Sequence, residues 1–350
     1  MIDIVVIGAG IAGLTCAQQL RQAGYQVVVL DKSRGVGGRF ATRRLYDTRA
    51  DHGLRAVTPQ GSLSAQLIQV LSDRRLLQLW PRQVAFLGAD GVLSATVAAE
   101  PSYTSPQGAS AIAKCLAVGL EILLNWQVQA IVADTGIWQI TGMTASGKAL
   151  AVAAKAVVVT TPAPQAQAIL AKQTLPAEFL AALDAVEFHP CFSVMAGYKV
   201  TALNLPSWQT CEISHGNLAW VGLDSSKRPQ SEIPVFVFQS TAEFAQKHLE
   251  TSDLDAVARM ILAEAAQLLA PWLATPKWFE IHRWRYAFPS RPLNQDYLST
   301  TDPLPLVCAG DWCGDRLVES ALQSGIAAAE AINRQLDKRS LLGADFFAHL

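Results

Sequence analysis

Three glycines near the start of the 350-residue chain have the spacing of a diphosphate-binding turn. Gly8, Gly10 and Gly13 form the pattern Gly-x-Gly-x-x-Gly. The first glycine of this pattern permits a tight turn, the second lets a pyrophosphate approach the backbone, and the third allows a helix to pack closely on a strand. Asp31 follows Gly13 by 18 residues, where such a site binds an adenosine ribose. Together these residues predict dinucleotide binding.

A strand, a turn and a helix must hold these residues. The run 2–7 is apolar and β-branched, which predicts a strand, and apolar residues recur at helical spacing from residue 14 to residue 20. Ile11 and Ala12 would begin the helix, where free N–H groups and the helix dipole favour a phosphate. A second predicted strand, 26–30, leads into Asp31. The pattern predicts an α/β fold with a Rossmann-type domain; the alternative is a glycine turn in an ordinary βαβ unit.

The next loop favours FAD over NAD as the bound dinucleotide. Lys32 opens a second glycine cluster that ends in Gly37-Gly38-Arg39, and this ending resembles the loop by which amine-oxidase-type flavoproteins close over FAD. The two glycines would let the backbone approach the cofactor, and Arg39 would donate a forked pair of hydrogen bonds to its phosphates. The alternative is a solvated basic loop, because the stretch contains Arg34, Arg39, Arg43 and Arg44.

The end of the chain carries a second set of candidate flavin contacts. The run 306–311 predicts a strand ending in Gly310-Asp311, and a helical pattern begins at Val318. Asp311 would accept a hydrogen bond from a ribityl hydroxyl, or would serve only as a helix cap. The helix N-terminus near Val318 would stabilise negative charge on the flavin. Val128, in a strand predicted over 121–132, would contact the adenine end.

The chain length predicts two connected lobes. Residues 1–80, 106–175 and 291–350 are assigned to a discontinuous FAD-binding domain, and residues 81–105 and 176–290 to a substrate-binding domain. The second domain is expected to combine a mixed β-sheet with one long helix. Its strands are predicted at 192–200, 234–239 and 278–287, and its helix at 254–269. The many tryptophans of this domain would either pack in its hydrophobic core or shield a flavin from water.

The composition of the chain argues against several classes of function. Hydrophobic residues make up 51% of the chain and charged residues 16%, with a net charge of −1, which argues against binding to nucleic acid or to an anionic membrane surface. No apolar run reaches the roughly 18 residues of a membrane span, and no signal peptide precedes the first strand. The six cysteines are scattered without a Cys-x-x-Cys pair, and no residue pattern indicates a metal site. These features predict a cytoplasmic enzyme with free thiols.

Several segments of the chain resemble the renalase family of flavoproteins. They span nearly the whole sequence, and the His-Arg-Trp-Arg-Tyr string is the most specific of them. The matching segments are Asp51-His52-Gly53, Thr161-Pro162-Ala163-Pro164, Asp224-Ser225-Ser226-Lys227, His282-Arg283-Trp284-Arg285-Tyr286-Ala287, and Gly310-Asp311-Trp312-Cys313-Gly314 with Val318-Glu319-Ser320-Ala321. The chain departs from the family pattern after Gly53, where Leu54-Arg55-Ala56-Val57 replaces a segment with an amide and aromatic rings.

The resemblance implies the two-lobed fold of the amine-oxidase superfamily and noncovalent FAD. It also implies hydride transfer to flavin N5 from dihydronicotinamide dinucleotides, that is, from isomeric forms of NAD(P)H, with O2 as acceptor. Such a step needs close stacking more than acid–base help. The expected positioning residues are then His52, His282, Trp284 and Tyr286, with Arg283 or Arg285 as carboxamide or phosphate partners and Trp312 beside the flavin. The alternatives are an amine oxidase with an aromatic cage of Tyr286 and Trp312, or a protein that binds flavin and NAD(P) with little turnover.

Overall fold

Two β-sheets organise the chain, seen in a computed structural model that describes residues 1–98, 100–199, 205–228, 231, 233–315 and 317–350. The strands of both sheets and of two small hairpins are β1 (Ile2–Ile7), β2 (Val27–Leu30), β3 (Thr42–Leu45), β4 (Thr48–Asp51), β5 (Gln78–Leu79), β6 (Gln83–Leu87), β7 (Leu93–Val97), β8 (Tyr103–Thr104), β9 (Glu121–Leu123), β10 (Trp126–Asp134), β11 (Ile137–Thr144), β12 (Ala149–Val159), β13 (Glu187–Gly197), β14 (Thr210–Ile213), β15 (Leu218–Leu223), β16 (Val235–Ser240), β17 (Trp278–Arg291), β18 (Leu298–Thr300) and β19 (Leu306–Cys308). The α-helices are α1 (Ile11–Gln22), α2 (Ser62–Asp73), α3 (Ser110–Leu116), α4 (Ala163–Leu170), α5 (Ala177–Asp184), α6 (Ala242–Lys247), α7 (Leu254–Leu268) and α8 (Leu317–Gln335).

The first sheet contains the glycine turn. Its strand order is β10-β11-β12-β1-β2-β9, and β19 joins β12 with β18 at its side. Strand β1 pairs in parallel with both β2 and β12, and apart from Asp3 its residues are apolar, as is typical of a strand in a parallel sheet that is covered on both faces. Helices α1 and α8 pack against each other, and their apolar residues share one core with α3. The sheet therefore brings the N-terminal ends of α1 and α8 close to the ends of β1 and β19.

The turn after β1 requires glycine at two positions. Gly8 has φ +111°, a backbone conformation that side chains disfavour. A Cβ on Gly13 would lie 2.0 Å from the carbonyl oxygen of Gly8, so α1 can approach β1 this closely only without a side chain there. The predicted strand, turn and helix are therefore present, and the Rossmann-like fold is confirmed.

The second sheet has the order β17-β13-β16-β15-β14-β6-β7. Its longest contact is the antiparallel pair β13 and β17, in which Ser193 lies opposite His282 and Cys191 opposite Trp284. Helix α7 covers one face through a core that includes Phe192, Phe236 and Phe238. Strand β17 thereby presents its opposite face to the first sheet.

Some predicted boundaries differ from the structure. The strand expected over 121–132 is two strands, β9 and β10, because Asn125 between them adopts a positive φ of 57° and turns the chain. The strand expected over 192–200 begins earlier, at Glu187, and ends at Gly197; Val200 lies outside the described residues. Strand β17, which was expected over 278–287, continues to Arg291.

Strands β6 and β7 belong to the second sheet although they precede β9 in the chain. All six cysteines are buried and free. In the described ranges, no helix is long and apolar enough to cross a membrane.

Candidate functional site

A cavity of about 2140 Å³ runs between the two sheets, from the glycine turn to β17. Most of the predicted site residues line it. From the first lobe these are Gly8, Gly10, Ile11, Ala12, Asp31, Lys32, Gly37, Gly38, Arg39, His52, Val128, Gly310, Asp311 and Val318, and from the second lobe they are His282, Trp284 and Tyr286. Gly13 lies behind the turn instead, where it sets the distance between α1 and β1.

The glycine turn offers an open cradle for a diphosphate. A Cβ on Gly10 would meet nothing within 4 Å, so the space beside this residue is free. Gly38, with φ +56°, faces it from the second glycine loop, and a Cβ there would lie 3.6 Å from the Cα of Gly10. Gly10 is also the N-cap of α1 and supplies no side-chain acceptor, which leaves helix N–H groups for a ligand oxygen. The cradle fits the diphosphate of a dinucleotide cofactor.

Asp31 is held at the end of β2 by two backbone amides. Its Oδ2 accepts from the N–H of Ala9 at 2.7 Å, and its Oδ1 accepts from the N–H of Ser33 at 2.7 Å. The carboxylate therefore joins the glycine turn to the loop after β2. Both hydrogen bonds fix it at the cavity wall where Trp126 and Val128 also lie.

Arg39 and Asp311 bind each other across the cavity. The guanidinium donates to both carboxylate oxygens, at 2.7 and 2.5 Å, and also to the carbonyl of Ala287 at 3.1 Å. The sequence assigned Arg39 to phosphates and Asp311 to a ribityl hydroxyl, and the structure shows in addition that the two side chains are paired with each other. Through these contacts Arg39 joins the second glycine loop to β17 and to the segment that follows β19, which no local pattern indicated.

Two histidines and a tryptophan form a cluster at the other end of the cavity. The ring of His282 lies 4.9 Å from that of His52 and 4.2 Å from that of Trp284, measured between centroids. The indole N–H of Trp284 donates to the carbonyl of His52 at 2.8 Å. Because His282 and Trp284 are two residues apart on β17, they share one face of the strand. The cluster is a rigid wall made by residues from both lobes.

Both imidazoles of this cluster are held neutral. Burial lowers the pKa of His52 to about 3, and the nearby His282 and the charge of Arg43 act in the same direction. Burial and the charge of Arg43 lower the pKa of His282 to about 4. Near pH 7 both rings are therefore neutral imidazoles and not imidazolium acids, so the cluster is suited to packing and orientation.

The opposite face of β17 carries the two arginines of the His-Arg-Trp-Arg-Tyr string. Arg283 donates to the carbonyls of Leu249 and Thr251, at 2.6 and 2.9 Å. Arg285 forms a bidentate pair with Glu250, at 2.5 and 2.9 Å. Both side chains border the cavity, but their donors are engaged by the segment between α6 and α7.

A buried ionic cluster lies behind His52. Lys227 contacts Asp51 at 3.1 Å and Asp224 at 2.9 Å, and Arg228 contacts Asp224 at 2.6 Å. Thr42 and the amide of Ala109 also donate to Asp51. Burial raises the pKa of the Asp51 carboxyl, but the charges of Lys227 and Arg228 outweigh burial and keep this pKa below its ordinary value. Burial lowers the pKa of Lys227, but Asp224 and Asp51 outweigh burial and raise it.

Two of the renalase-like segments meet in this ionic cluster. Asp51-His52-Gly53 supplies one carboxylate from β4, and Asp224-Ser225-Ser226-Lys227 supplies the lysine and the second carboxylate from a short 3-10 helix after β15. The ring of Trp80 covers the ammonium of Lys227 at 4.5 Å. Because Asp51 directly precedes His52, this cluster fixes the backbone from which the His52 ring extends.

The structure corrects one expected site residue. Trp312 does not line the cavity: it is buried in the core beneath the first sheet, and its indole N–H donates to the carbonyl of Thr161 at 3.1 Å. A cage of Tyr286 and Trp312 therefore does not form. Tyr286 packs edge-on against Phe188 at 5.6 Å.

Sequence reasoning missed one pair at the mouth of the cavity. Arg43 of β3 lies 2.9 Å from Glu280 of β17, and both line the cavity. Arg43 was visible in the sequence only as one arginine of a basic loop. Its partner lies 237 residues away, so no local spacing connects the two.

The sequence pattern of a family described as flavin containing amine oxidoreductase matches residues 74–333. The chain belongs to this family. A pattern for an NAD(P)-binding Rossmann-like domain matches residues 6–71, which include the glycine cradle. Membership makes the protein an FAD-dependent oxidoreductase of the amine oxidase superfamily, and the cradle described above fits this cofactor.

Two solved structures are similar over almost all of this chain. Cyclohexylamine oxidase from Brevibacterium oxydans has a TM-score of 0.71 at 14% identity, over 96% of this chain and 99% of that one. Putrescine oxidase bound to putrescine has a TM-score of 0.70 at 15% identity, over 95% and 99%. At these identities the similarity establishes the two-lobed fold.

Similarity in sequence to a curated relative is short. A protein of Drosophila melanogaster named "Possible lysine-specific histone demethylase 1" is 45% identical over 69 residues. The match covers 18% of this chain and 8% of the relative. The chain thus matches only a small part of that protein's length.

Proposed function

We propose that the protein oxidises isomeric forms of NAD(P)H, which are dihydronicotinamide dinucleotides, in the manner of the renalase family, with FAD as the hydride acceptor and O2 as the final oxidant. The observation that supports this substrate class is the charge of the cavity. Among the described residues that line it, ten are basic and three, Asp31, Glu280 and Asp311, are acidic; the basic ones are Lys32, Arg34, Arg39, Arg43, Arg44, Arg49, Lys114, Lys172, Arg283 and Arg285.

This excess of positive charge favours an anionic substrate. The diphosphate of FAD offsets part of it, and a second dinucleotide would offset more. An amine substrate is an ammonium ion near pH 7, and the potential of a basic cleft would repel it. The cavity therefore selects for phosphate-bearing molecules on approach.

The residues that would hold FAD are those of the cradle and of the two helix N-termini. Gly10 and Gly38 would border its diphosphate, Asp31 its adenosine ribose, and the start of α8 at Val318 its flavin ring. Bound there, FAD supplies a hydride acceptor at N5 that O2 can reoxidise. The chain's own contribution is to bind, to orient and to exclude water.

The histidine–tryptophan cluster would orient a nicotinamide ring. Loss of hydride from a dihydropyridine carbon requires that its ring stacks on the flavin in a site that excludes water. No proton need be transferred at that carbon. Neutral His52 and His282 suit this role, because a charged imidazolium would disfavour the cationic pyridinium product. The indole of Trp284 is fixed by its hydrogen bond to His52.

Amine oxidation is the second candidate, because the family and the similar folds include amine oxidases. The test is anaerobic mixing of the FAD-loaded protein with isomeric dihydro-NAD(P), ordinary β-NADPH or a benzylic amine, followed by flavin absorbance. Rapid bleaching by the isomers alone supports the proposal. Bleaching by the amine alone, or by β-NADPH alone, rejects it, and an oxidised flavin with all three indicates a binding protein with little turnover.

A pair of tryptophan variants sharpens this test. Trp284→Phe keeps a ring but removes the donor to His52, and it is expected to slow bleaching by the isomers while FAD stays bound. Trp208→Phe is the matched control, because Trp208 is buried in the core of the second lobe and does not line the cavity. Equal rates in the two variants would show that the cluster does not orient the substrate.

A further inference from the structure

Arg43 and Glu280 form an ion pair on the wall of the cavity beside the histidine–tryptophan cluster. Their side chains lie 2.9 Å apart, and each is 36% exposed. Glu280 and His282 share a face of β17, and two residues of a strand span about 6.6 Å. The guanidinium of Arg43 therefore lies close to the rings that form the oxidation site. Both imidazoles have their pKa lowered by the charge of Arg43, which agrees with this proximity.

The guanidinium keeps donors for a ligand. An arginine has five N–H donors in a planar fork, and one carboxylate engages two of them at most. Its remaining donors suit a phosphate, which arginine binds in bidentate fashion. The phosphate of a nicotinamide mononucleotide unit is separated from the ring by one ribose, a span similar to the two-residue step along β17.

Four of the other arginines near the site are paired with carboxylates. Arg39 is bound to Asp311, and Arg285 is bound to Glu250 on the opposite face of β17. Arg55 donates to Gln239 and Glu212 and lies over the ring of Trp220. Arg228 is part of the buried ionic cluster.

We propose that Arg43 is the specificity-determining residue that binds the phosphate next to the substrate's nicotinamide ring, with Glu280 holding its guanidinium at the cavity wall. This inference rests on the proposed function, which it extends from a substrate class to a particular contact. Arg43 then distinguishes a nicotinamide nucleotide from a nicotinamide nucleoside.

The experiment compares two ligands that differ by this phosphate. The FAD-loaded protein is titrated with nicotinamide mononucleotide and with nicotinamide riboside, and flavin absorbance gives the dissociation constants. Arg43→Gln is expected to raise the dissociation constant of the mononucleotide about 10- to 100-fold, as for loss of a charged hydrogen bond. The dissociation constant of the riboside is expected to stay unchanged. Arg291→Gln is the control: Arg291 lies on the same strand, pairs with Glu187 at 3.6 Å and does not line the cavity.

Glu280→Gln tests the positioning role of the carboxylate. A guanidinium that is no longer held at the cavity wall loses more conformational entropy on binding, so binding of the mononucleotide is expected to weaken about 2- to 5-fold while binding of the riboside is unchanged. If Glu280→Gln and Arg43→Gln weaken both ligands equally, the pair is only a structural tie and the inference is wrong. Unchanged FAD content and visible spectrum establish that each variant is folded.

Inorganic pyrophosphate separates failure of this inference from failure of the proposed function. If the isomers are oxidised but Arg43→Gln does not alter discrimination, the inference fails and the function stands. If no nicotinamide ligand binds, but pyrophosphate binds and Arg43→Gln abolishes its binding, the function fails and the anion site stands. A wild-type protein that binds the two nicotinamide ligands equally and does not bind pyrophosphate overturns the inference.

Discussion

Replacing Lys227 by methionine tests how much the buried ionic cluster contributes to stability. Lys227, Asp51 and Asp224 are each at most 1% exposed, so the substitution leaves two carboxylates buried with Arg228 as their remaining cation. Breaking a buried pair by removing one partner costs about 3–5 kcal/mol. At about 2.1 cal/mol/K per residue, the 350-residue chain has an unfolding entropy near 0.7 kcal/mol/K. The melting temperature of Lys227→Met is therefore expected to fall by about 4–7 °C.

Lys155→Met is the matched control for this measurement. Lys155 also contacts a carboxylate, that of Asp3 at 2.8 Å, but its side chain is half exposed. A surface pair of this kind contributes about 0–1 kcal/mol, or roughly 1 °C here. Thermal unfolding of the FAD-loaded proteins is followed by circular dichroism and flavin fluorescence. Equal shifts in the two variants would refute the assignment of a large stabilisation to the buried cluster.

Three further predictions follow from the cradle, the histidines and the cavity charge. Gly10→Ala is expected to leave the melting temperature of the apoprotein unchanged and to weaken the binding of FAD by about 1–3 kcal/mol. Gly13→Ala is expected to lower the melting temperature of the apoprotein, because a side chain at this position clashes with the Gly8 carbonyl. Equal melting temperatures for the two apoprotein variants would contradict this prediction. In the folded protein the pKa of His52 is about 3 and that of His282 is about 4, both below the value of 6.5 in the unfolded chain. The unfolded chain therefore binds more protons below pH 6.5, so the free energy of unfolding is highest above pH 6.5 and decreases as the pH falls towards 4. Chemical unfolding between pH 4 and 7.5 measures this, and a flat profile would reject it. Raising the salt concentration from about 0.01 to about 0.1 M shortens the Debye length from about 30 to about 10 Å and is expected to lower kcat/KM for a dinucleotide; a rise would indicate a cationic substrate.

Features that depend on local backbone conformation could be predicted from the sequence. Gly8 needs a positive φ and Gly13 needs the absence of a side chain, and both demands appear as residue types at fixed spacing. The parallel arrangement of β1 and β2 follows from the same unit. The sequence therefore predicts the Rossmann-like lobe and most of the residues that line its end of the cavity.

Features that depend on distant partners could not be predicted. Asp51 and Lys227 are 176 residues apart, and Arg39 and Asp311 are 272 apart, so each pair exists only after both sheets have formed. Trp312 was expected beside the flavin because it follows Gly310-Asp311. The order of residues in a short segment does not show which side chains are buried. In the structure the indole of Trp312 is in the core, where its N–H donates to the carbonyl of Thr161.

The distribution of charge in the cavity links the fold to the choice of substrate. Two arginines that border the cavity, Arg283 and Arg285, are engaged by the segment after α6, and Arg39 is engaged by Asp311. Arg43 differs, because its counter-ion Glu280 is itself partly exposed on the cavity wall. A phosphate that enters there meets a guanidinium already held in position, so little conformational entropy is lost on binding. An ammonium ion would have to displace Arg43 from Glu280 to reach the same carboxylate. The same pair of side chains therefore favours nucleotides and disfavours amines.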